Sequence, residues 1–315
     1  MTRIVDVAAR AGVSTATVSR VLNGTKVRAD LEEAVRRAVD ELGYSANRAA
    51  RSLRRQYSDV VALVIPDVEN PFFTSVARGV EDVAQAAGLS LVLCNTDDDV
   101  EKEQSYLSVA ESENMAGVIL APAGDAPDLT RLLGRSRAVV VIDREVRDQV
   151  DQVLFDNVGL GRRATELLLA RGHTDVACIT GPRTTSTAVE RAAGWRDALG
   201  DAGIGADRLV HANFRVDGGR AAMTEMLAGP TQPDAVLATN NLVGVGVLQA
   251  LAAWGGPRIE VGIVGDLPFA TSDVADVARL PLNPREMGVR AARLLVDRIR
   301  GTAGEPGTHV LGTDP

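Results

Sequence analysis

Thr15, Ala16, Thr17 and Arg20 stand close together near the start of the chain and carry side chains suited to reading DNA. An arginine can donate two parallel hydrogen bonds to guanine O6 and N7, while small residues such as Thr15 and Ala16 approach a base edge and touch a thymine methyl. Ser14, Thr17 and Asn23 suit phosphate oxygens, which position a protein on the duplex without reading its sequence. A second set of polar residues ends a series of apolar runs: Asp67 and Asn70, Asn95, Asp143 with Arg144, Asp156 with Asn157, Asn240 with Asn241, and Asp266. Carboxylates, amides and an arginine satisfy both roles of a hydroxyl, so this set suits a polyhydroxylated ligand. A sugar leads, although nucleosides and other small polar molecules fit the same kind of pocket.

The elements that must carry these residues follow from periodicity. Ile4, Val7, Ala8 and Ala11 form one face of a short helix that Gly12 ends, and Ser14 is positioned to cap a second helix with Val18, Val21 and Leu22 on its buried stripe. Leu31, Ala34, Val35, Ala38, Val39 and Leu42 continue as a third helix, which stops at Gly43. Two short helices joined at a glycine turn read as a helix-turn-helix, whose second helix fits the DNA major groove. Charge agrees with this reading. Residues 1–57 hold 11 basic and 6 acidic residues, net +5, and the remainder holds 23 and 36, net −13, which together give the −8 of the whole chain. A basic head attracts phosphates, and an acidic body discourages random contact with nucleic acid.

From Ser58 onward, β-branched runs alternate with amphipathic stretches. The runs are Val60 to Ile65, Leu89 to Cys94, Gly117 to Ala121, Ala138 to Ile142, Val176 to Thr180, Ala235 to Thr239 and Val261 to Val264. Phe72 to Ala87, Leu160 to Ala170, Arg191 to Ala202 and Leu242 to Ala253 read as helices between them. This βαβ order predicts parallel sheets covered on both faces, with ligands at the carboxyl ends of the strands. The fold class expected is therefore a small all-α head followed by an α/β body.

The motifs Asp6-Val7-Ala8, Ala11-Gly12-Val13-Ser14 and Thr17-Val18-Ser19-Arg20-Val21-Leu22-Asn23 closely resemble the amino-terminal head of the LacI/GalR family of bacterial transcription regulators. Glu41-Leu42-Gly43-Tyr44, Asn47-Arg48-Ala49-Ala50-Arg51-Ser52-Leu53 and Pro66-Asp67-Val68-Glu69-Asn70-Pro71-Phe72-Phe73 extend the resemblance, which runs more weakly to about Arg300. It implies a head over 1–46, a hinge helix and linker over 47–57, and a two-lobed, periplasmic-binding-protein-like body over 58–315 that binds effector and dimerises. It also implies DNA contacts from Tyr44, Asn47, Ala50 and Leu53, with Leu53 of each subunit wedged into the minor groove. Wedging an apolar side chain unstacks a base step and bends the duplex toward more protein contacts. For the effector it points to Phe72, Phe73, Arg191, Phe214, Asn240 and Asp266, which join Asn70, Asp143 and Arg144.

Four departures from the family pattern stand out. Arg28 replaces the serine cap that commonly follows the valine corresponding to Val27, so Asp30 is expected to cap the third helix and Arg28 to meet phosphate. The loop Gly265-Asp266-Leu267-Pro268-Phe269-Ala270 is short, and Leu280-Pro281-Leu282-Asn283-Pro284 stands where the family has Thr-Thr-Val with Gln-Pro further on. The end at Pro315 falls, on the resemblance, short of the family's last strand.

The implied partners are a palindromic operator, a small polar effector and a second copy of the chain. No cofactor, metal or membrane is expected, and the chain is expected to stay in the cytoplasm. Val60 to Ile65 is far too short to cross a bilayer, and Met1-Thr2-Arg3-Ile4-Val5-Asp6 places an acid where a signal peptide needs apolar residues. Cys94 and Cys178 sit in apolar runs and read as small buried hydrophobes. The histidines His173, His211 and His309 are far apart, and neither a Gly-x-Ser-x-Gly elbow nor a phosphate loop occurs, which argues against an enzyme. Asp97-Asp98-Asp99 reads as a solvated loop capping a helix from Val100 rather than as a metal site. Gly244 and Gly246 read as close-packing glycines. A solute-binding protein shares the body's expected fold but has no use for a basic head.

Overall fold

The computed structural model describes residues 2–22, 25–44, 57–124, 126–267 and 277–312. Asn23, Asn47, Ala50 and Leu53, the rest of the expected hinge up to Gln56, and the 265–270 loop from Pro268 onward lie outside these residues. The chain divides into two compact units, Met1–Ser58 and Asp59–Pro315.

Among the described residues, the first unit holds three helices: α1 Ile4–Ala11, α2 Thr15–Leu22 and α3 Ala29–Glu41. Val7, Ala8, Val18, Val21, Val35 and Ala38 form its core. Gly12 ends α1 with φ 66°, a left-handed turn that a side chain would oppose. Ser14 then caps α2, its Oγ accepting the Thr17 N–H at 3.1 Å. The third helix corrects one expectation. Arg28, not Asp30, takes its cap position and makes no side-chain cap, while Asp30 lies in the first turn. Its carboxylate is engaged by the Arg28 guanidinium, with Nε at 3.0 Å, and favours the positive end of the helix dipole.

The second unit holds two parallel sheets. The first has the order β11-β5-β4-β3-β1-β2, from β1 Val60–Ile65, β2 Ser90–Asn95, β3 Gly117–Leu120, β4 Ala138–Ile142, β5 Asp151–Phe155 and β11 Thr308–Leu311. Its helices are α4 Pro71–Ala86, α5 Val100–Ser112, α6 Thr130–Gly134 and α11 Pro284–Arg300. The second sheet has the order β10-β9-β8-β6-β7, from β6 Val176–Thr180, β7 Leu209–His211, β8 Ala235–Ala238, β9 Glu260–Val264 and β10 Val277–Leu280. Helices α7 Asn157–Leu169, α8 Ser186–Asp201, α9 Val216–Leu227 and α10 Asn241–Trp254 accompany it. The chain passes from the first lobe to the second after Phe155 and returns after Leu280.

The edge strand β11 was not among the expected strands. Thr308 to Leu311 pair in parallel with Gln152 to Phe155. The run is short and half-exposed, so it shows no long apolar stretch to find by eye. The three-residue β7 is shorter still, and β5 and β10 escape because Asp151-Gln152 and Arg279 interrupt their apolar runs.

Three helix pairs pack through reciprocal glycines. A Cβ on Gly79 of α4 would lie 2.2 Å from the Arg285 carbonyl oxygen, and one on Gly288 of α11 would lie 2.1 Å from that of Val76. Gly161 of α7 and Gly194 of α8 face the carbonyls of Arg191 and Val158 at 2.0 Å each, and Gly219 of α9 and Gly246 of α10 face those of Val243 and Val216 at 2.5 and 2.1 Å. These distances leave no space for a methyl group between the backbones. Gly194→Ala is therefore expected to lower stability by about 1–3 kcal/mol, as overpacking does. Gly304→Ala, with nothing within 4 Å, is expected to be neutral. Thermal melting of the two variants beside the parent checks both; equal melting temperatures for all three would remove the close-approach argument.

Candidate functional site: a cleft between two lobes and an exposed recognition helix

The loops that leave the strand ends of both sheets converge on one cavity of about 470 Å³, within the usual range for small-molecule sites. Asp67 and Asn70 follow β1, Asp97 and Asp98 follow β2, and Asp143 and Arg144 follow β4. From the second lobe, Asn213, Phe214 and Arg215 follow β7, Asn240 and Asn241 follow β8, and Asp266 follows β9. All the expected effector residues, Asn70, Phe72, Phe73, Asp143, Arg144, Arg191, Phe214, Asn240 and Asp266, line this cavity.

Each is placed by local structure. Asn70 caps α4, its Oδ1 accepting the Phe72 N–H at 3.0 Å, and Pro71 supplies the preset first turn. Asn240 caps α10 through the Val243 N–H at 2.8 Å and donates from Nδ2 to the Phe214 carbonyl at 3.2 Å. Capping and lining the cleft are thus done by the same amides. Asn241 donates to Asn70 Oδ1 at 3.2 Å, a direct bond between the lobes. Phe73 is buried in the core, whereas Phe72 is half-buried and meets Phe73 and Phe155 edge-on at centroid distances of 5.0 and 6.3 Å. Gly181 makes room for the Phe214 ring, which a Cβ there would strike at 2.5 Å.

Arg191 is buried and pinned by two acceptors: Nε donates to Asn157 Oδ1 at 2.9 Å and Nη1 to the Thr239 carbonyl at 2.8 Å. Asn157 also donates to Glu190 Oε2 at 3.0 Å. Burial lowers the Arg191 pKa, opposed by the carboxylates of Asp143 and Glu190. Arg144 donates from Nη1 to Asp98 Oδ1 at 2.8 Å and to the Pro122 carbonyl at 2.7 Å, and its Nε faces Asp143 at 3.8 Å. Asp143 sits at φ 68°, a left-handed conformation held by the Arg144 N–H bond to the Ile142 carbonyl at 2.7 Å. Burial pushes its carboxyl pKa up, and the charges of Arg144 and Arg191 only partly offset this.

The sequence reading missed Asp97, Asp98, Asn213 and Arg215 as cleft residues, and it left Asn241 as a strand-end residue only. Asp99 caps α5 as expected, accepting from Glu101 and Lys102 N–H at 2.8 and 3.0 Å. Asp97 and Asp98, at φ 56° and 60°, turn back into the cavity. Their position just beyond β2 was the available signal. Among the described residues no group of three or more His, Cys, Asp or Glu could hold a metal ion, and no helix is long and apolar enough to cross a membrane.

In the head, Ser14, Thr15, Ala16 and Arg20 are exposed and Thr17 is half-buried, which leaves one side of α2 open. Arg28 is exposed, and Tyr44 packs in part against the head core.

A family model described as "Bacterial regulatory proteins, lacI family" matches residues 3–47, and one described as "Periplasmic binding proteins and sugar binding domain of LacI family" matches residues 58–281. The chain belongs to the LacI family of bacterial regulatory proteins. It is 38% identical to the HTH-type transcriptional regulator CelR of Thermobifida fusca, with 98% of this chain and 94% of the relative covered. It is 35% identical to the ribose operon repressor of Halalkalibacterium halodurans, at 95% and 91% coverage. Among solved structures, a CelR–cellobiose complex superposes with a TM-score of 0.72 at 34% identity, covering 99% of this chain and 97% of that one. The fold is also that of the lac repressor dimer bound to operator and the anti-inducer ONPF, at a TM-score of 0.85, 23% identity, and coverage of 98% and 96%.

Two outcomes are expected at this site. Arg191→Met keeps the bulk but strands the Asn157 and Thr239 acceptors, which costs about 1–3 kcal/mol per unsatisfied group; denaturant unfolding checks it, and an unchanged midpoint would mean that neither bond matters. Asp143→Asn removes a buried carboxylate whose folded pKa lies above its unfolded value, and asparagine tolerates the left-handed backbone. The charged form is penalised in the folded state, while Asp143 also serves as a counter-charge for Arg144 and Arg191, so the stability of the variant relative to the parent is expected to be greater at pH 7 than at acid pH. This pH-dependent part should shrink as pH falls through the folded pKa and vanish below the unfolded value of about 3.9. A difference between variant and parent that is constant with pH would contradict this origin.

Proposed function

We propose that this protein is a sequence-specific, DNA-binding transcriptional regulator, a repressor, whose DNA affinity is set by a small polar effector bound in the cleft between the lobes. The observation that carries the reading is the presence on one chain of an exposed helix-turn-helix face bearing Arg20 and a polar, two-lobed cavity lined by strand-end residues. Relatives that cover the chain nearly end to end are named transcriptional regulators and repressors, and the neighbour complexed with cellobiose supports a sugar-like effector.

The division into a head over 1–46, a hinge over 47–57 and an effector and dimerisation domain over 58–315 belongs to this proposal. So do the DNA contacts from Ser14, Thr15, Ala16, Thr17, Arg20, Asn23, Arg28, Tyr44, Asn47, Ala50 and Leu53. As a cytoplasmic homodimer the protein would present two heads to a palindromic operator, because two-fold symmetry in the protein demands it in the DNA. The effector would favour one relative orientation of the lobes, and its influence on DNA is limited to its differential affinity for the two states. We assign no catalytic role to the cleft.

Selection of random duplex DNA by the full chain, followed by sequencing, tests the reading. A palindrome is expected to be enriched; no enrichment with or without added sugars and purines would overturn it. On the selected operator, Arg20→Ala is expected to lose about 1–3 kcal/mol and to relax one base position in each half-site. An equal loss on all sequences would assign Arg20 to phosphate.

A further inference from the structure

A second cavity, of about 460 Å³, lies where the chain passes from the first lobe to the second, beside the end of β5, the start of α7 and the edge strand β11. It backs onto the effector cleft, because Asp143 lines both. Its lining holds four carboxylates, Asp143, Glu145, Asp156 and Glu190, and among the described residues no arginine, lysine or histidine. Leu154, Phe155, Val158 and Val310 give it an apolar wall, and Val158 and Val310 are exposed to solvent at 38% and 61%. The volume suits a small molecule.

One of the four carboxylates is fully employed. Asp156 caps α7 by accepting the Gly159 N–H at 2.8 Å, and Arg163 stands 3.9 Å from its second oxygen. The other three are less well supplied. Glu190 accepts one bond, from the Asn157 amide at 3.0 Å. Among the described residues no hydrogen bond or ion pair engages the exposed Glu145. Asp143 is only 8% exposed, yet among the described residues no hydrogen bond reaches its carboxylate; Arg144 Nε stands 3.8 Å away and is itself without a hydrogen bond. A buried charge without hydrogen bonds carries a desolvation cost that a ligand donor would relieve. Burial pushes the Glu190 pKa up and the charges of Glu145 and Asp143 push it the same way, so the three carboxylates stand close enough to repel one another. Arg144 and Arg191, which offset part of the charge on Asp143, line the effector cleft and not this cavity.

We propose that this second cavity binds an aliphatic polyamine, with its ammonium groups at Asp143, Glu145 and Glu190 and its methylene chain along the apolar wall. A divalent metal ion needs oxygens that converge on one point, and among the described residues no group of three or more His, Cys, Asp or Glu could hold one. Separated carboxylates instead match a ligand whose charges are separated. Each ammonium brings donors to oxygens that can only accept, and a methylene chain lies on apolar surface while its charged ends stay at polar groups, as a lysine stem does. The site touches the effector cleft at two residues. Asp143 lines both cavities, and the Asn157 amide that donates to Glu190 accepts from Arg191.

Isothermal titration calorimetry of the full chain with spermidine, without DNA and at constant ionic strength, provides the test. One saturable site per chain is expected, from which magnesium chloride does not displace the amine. Glu145→Lys places an ammonium at the cavity and is expected to weaken spermidine at least tenfold, and Val310→Ser is expected to weaken it about threefold through the apolar wall. Glu113→Lys makes the same charge change at an exposed position outside the cavity and is expected to leave the affinity within twofold of the parent. All three substitutions are at exposed side chains, and melting curves check that each variant is folded. Absence of a saturable site overturns the proposal. So does displacement by magnesium, or a loss in Glu113→Lys equal to that in Glu145→Lys, since either would assign the binding to the acidic surface at large.

Discussion

The close approach of α7 and α8 fixes the centre of the effector cleft. Gly161 and Gly194 let the two backbones meet at distances where a Cβ would stand 2.0 Å from a carbonyl oxygen. The carbonyl facing Gly161 is that of Arg191 itself, so the contact sets the height of this residue within the lobe. Asn157, the first residue of α7, and Thr239 at the end of β8 then take the guanidinium. A buried arginine is tolerable only when its donors are satisfied and charges of opposite sign lie near. Asp143 and Glu190 supply those charges. Helix packing, strand connection and cleft electrostatics thus depend on one another at a single side chain.

The same economy runs through the rest of the cleft. A helix start leaves N–H groups that need acceptors, and in an α/β fold the helix starts lie at the strand ends where ligands bind. Asn70, Asn240 and Asp99 answer the first need while standing at or beside the second. Asn70 also receives Asn241, so that a capping residue of one lobe becomes the acceptor for the other. Strain is concentrated here as well. Asp97, Asp98 and Asp143 all adopt positive φ, conformations that persist only where surrounding contacts fix them. Lys102 and Asn95 hold Asp97, Arg144 holds Asp98, and the Ile142 carbonyl holds the turn at Asp143.

The separation of charge between head and body has a different physical purpose. Net +5 over the first 57 residues and −13 over the rest place attraction to phosphate where the exposed face of α2 lies and repulsion elsewhere. The head itself is small, with a buried core of six residues among those described. Its order depends on local devices such as the Gly12 turn and the Ser14 cap, whose contributions are written in neighbouring residues.

Those local devices explain what could be read from the sequence alone. Gly12, Ser14 and the apolar stripes determine the three-helix head; the strands Val60–Ile65, Ala138–Ile142 and Val176–Thr180 end where their apolar runs end. The strand-end rule, together with the family resemblance, also located Asn70, Asp143, Arg144, Asn240 and Asp266. Asp30 was misread because α3 begins one residue before it, at Ala29, and β11 was missed because a four-residue edge strand carries almost no period. Only the tertiary structure decided that Asp97 and Asp98 turn into the cavity, that Arg144 is spent on Asp98, and that Asn241 reaches Asn70 across 171 residues of chain. Periodicity and capping are interactions between near neighbours, so they leave a trace in the sequence. A cleft assembled from the ends of two sheets depends on how strands are ordered and helices are spaced, and the glycines that permit that spacing show their purpose only once their partners are in place.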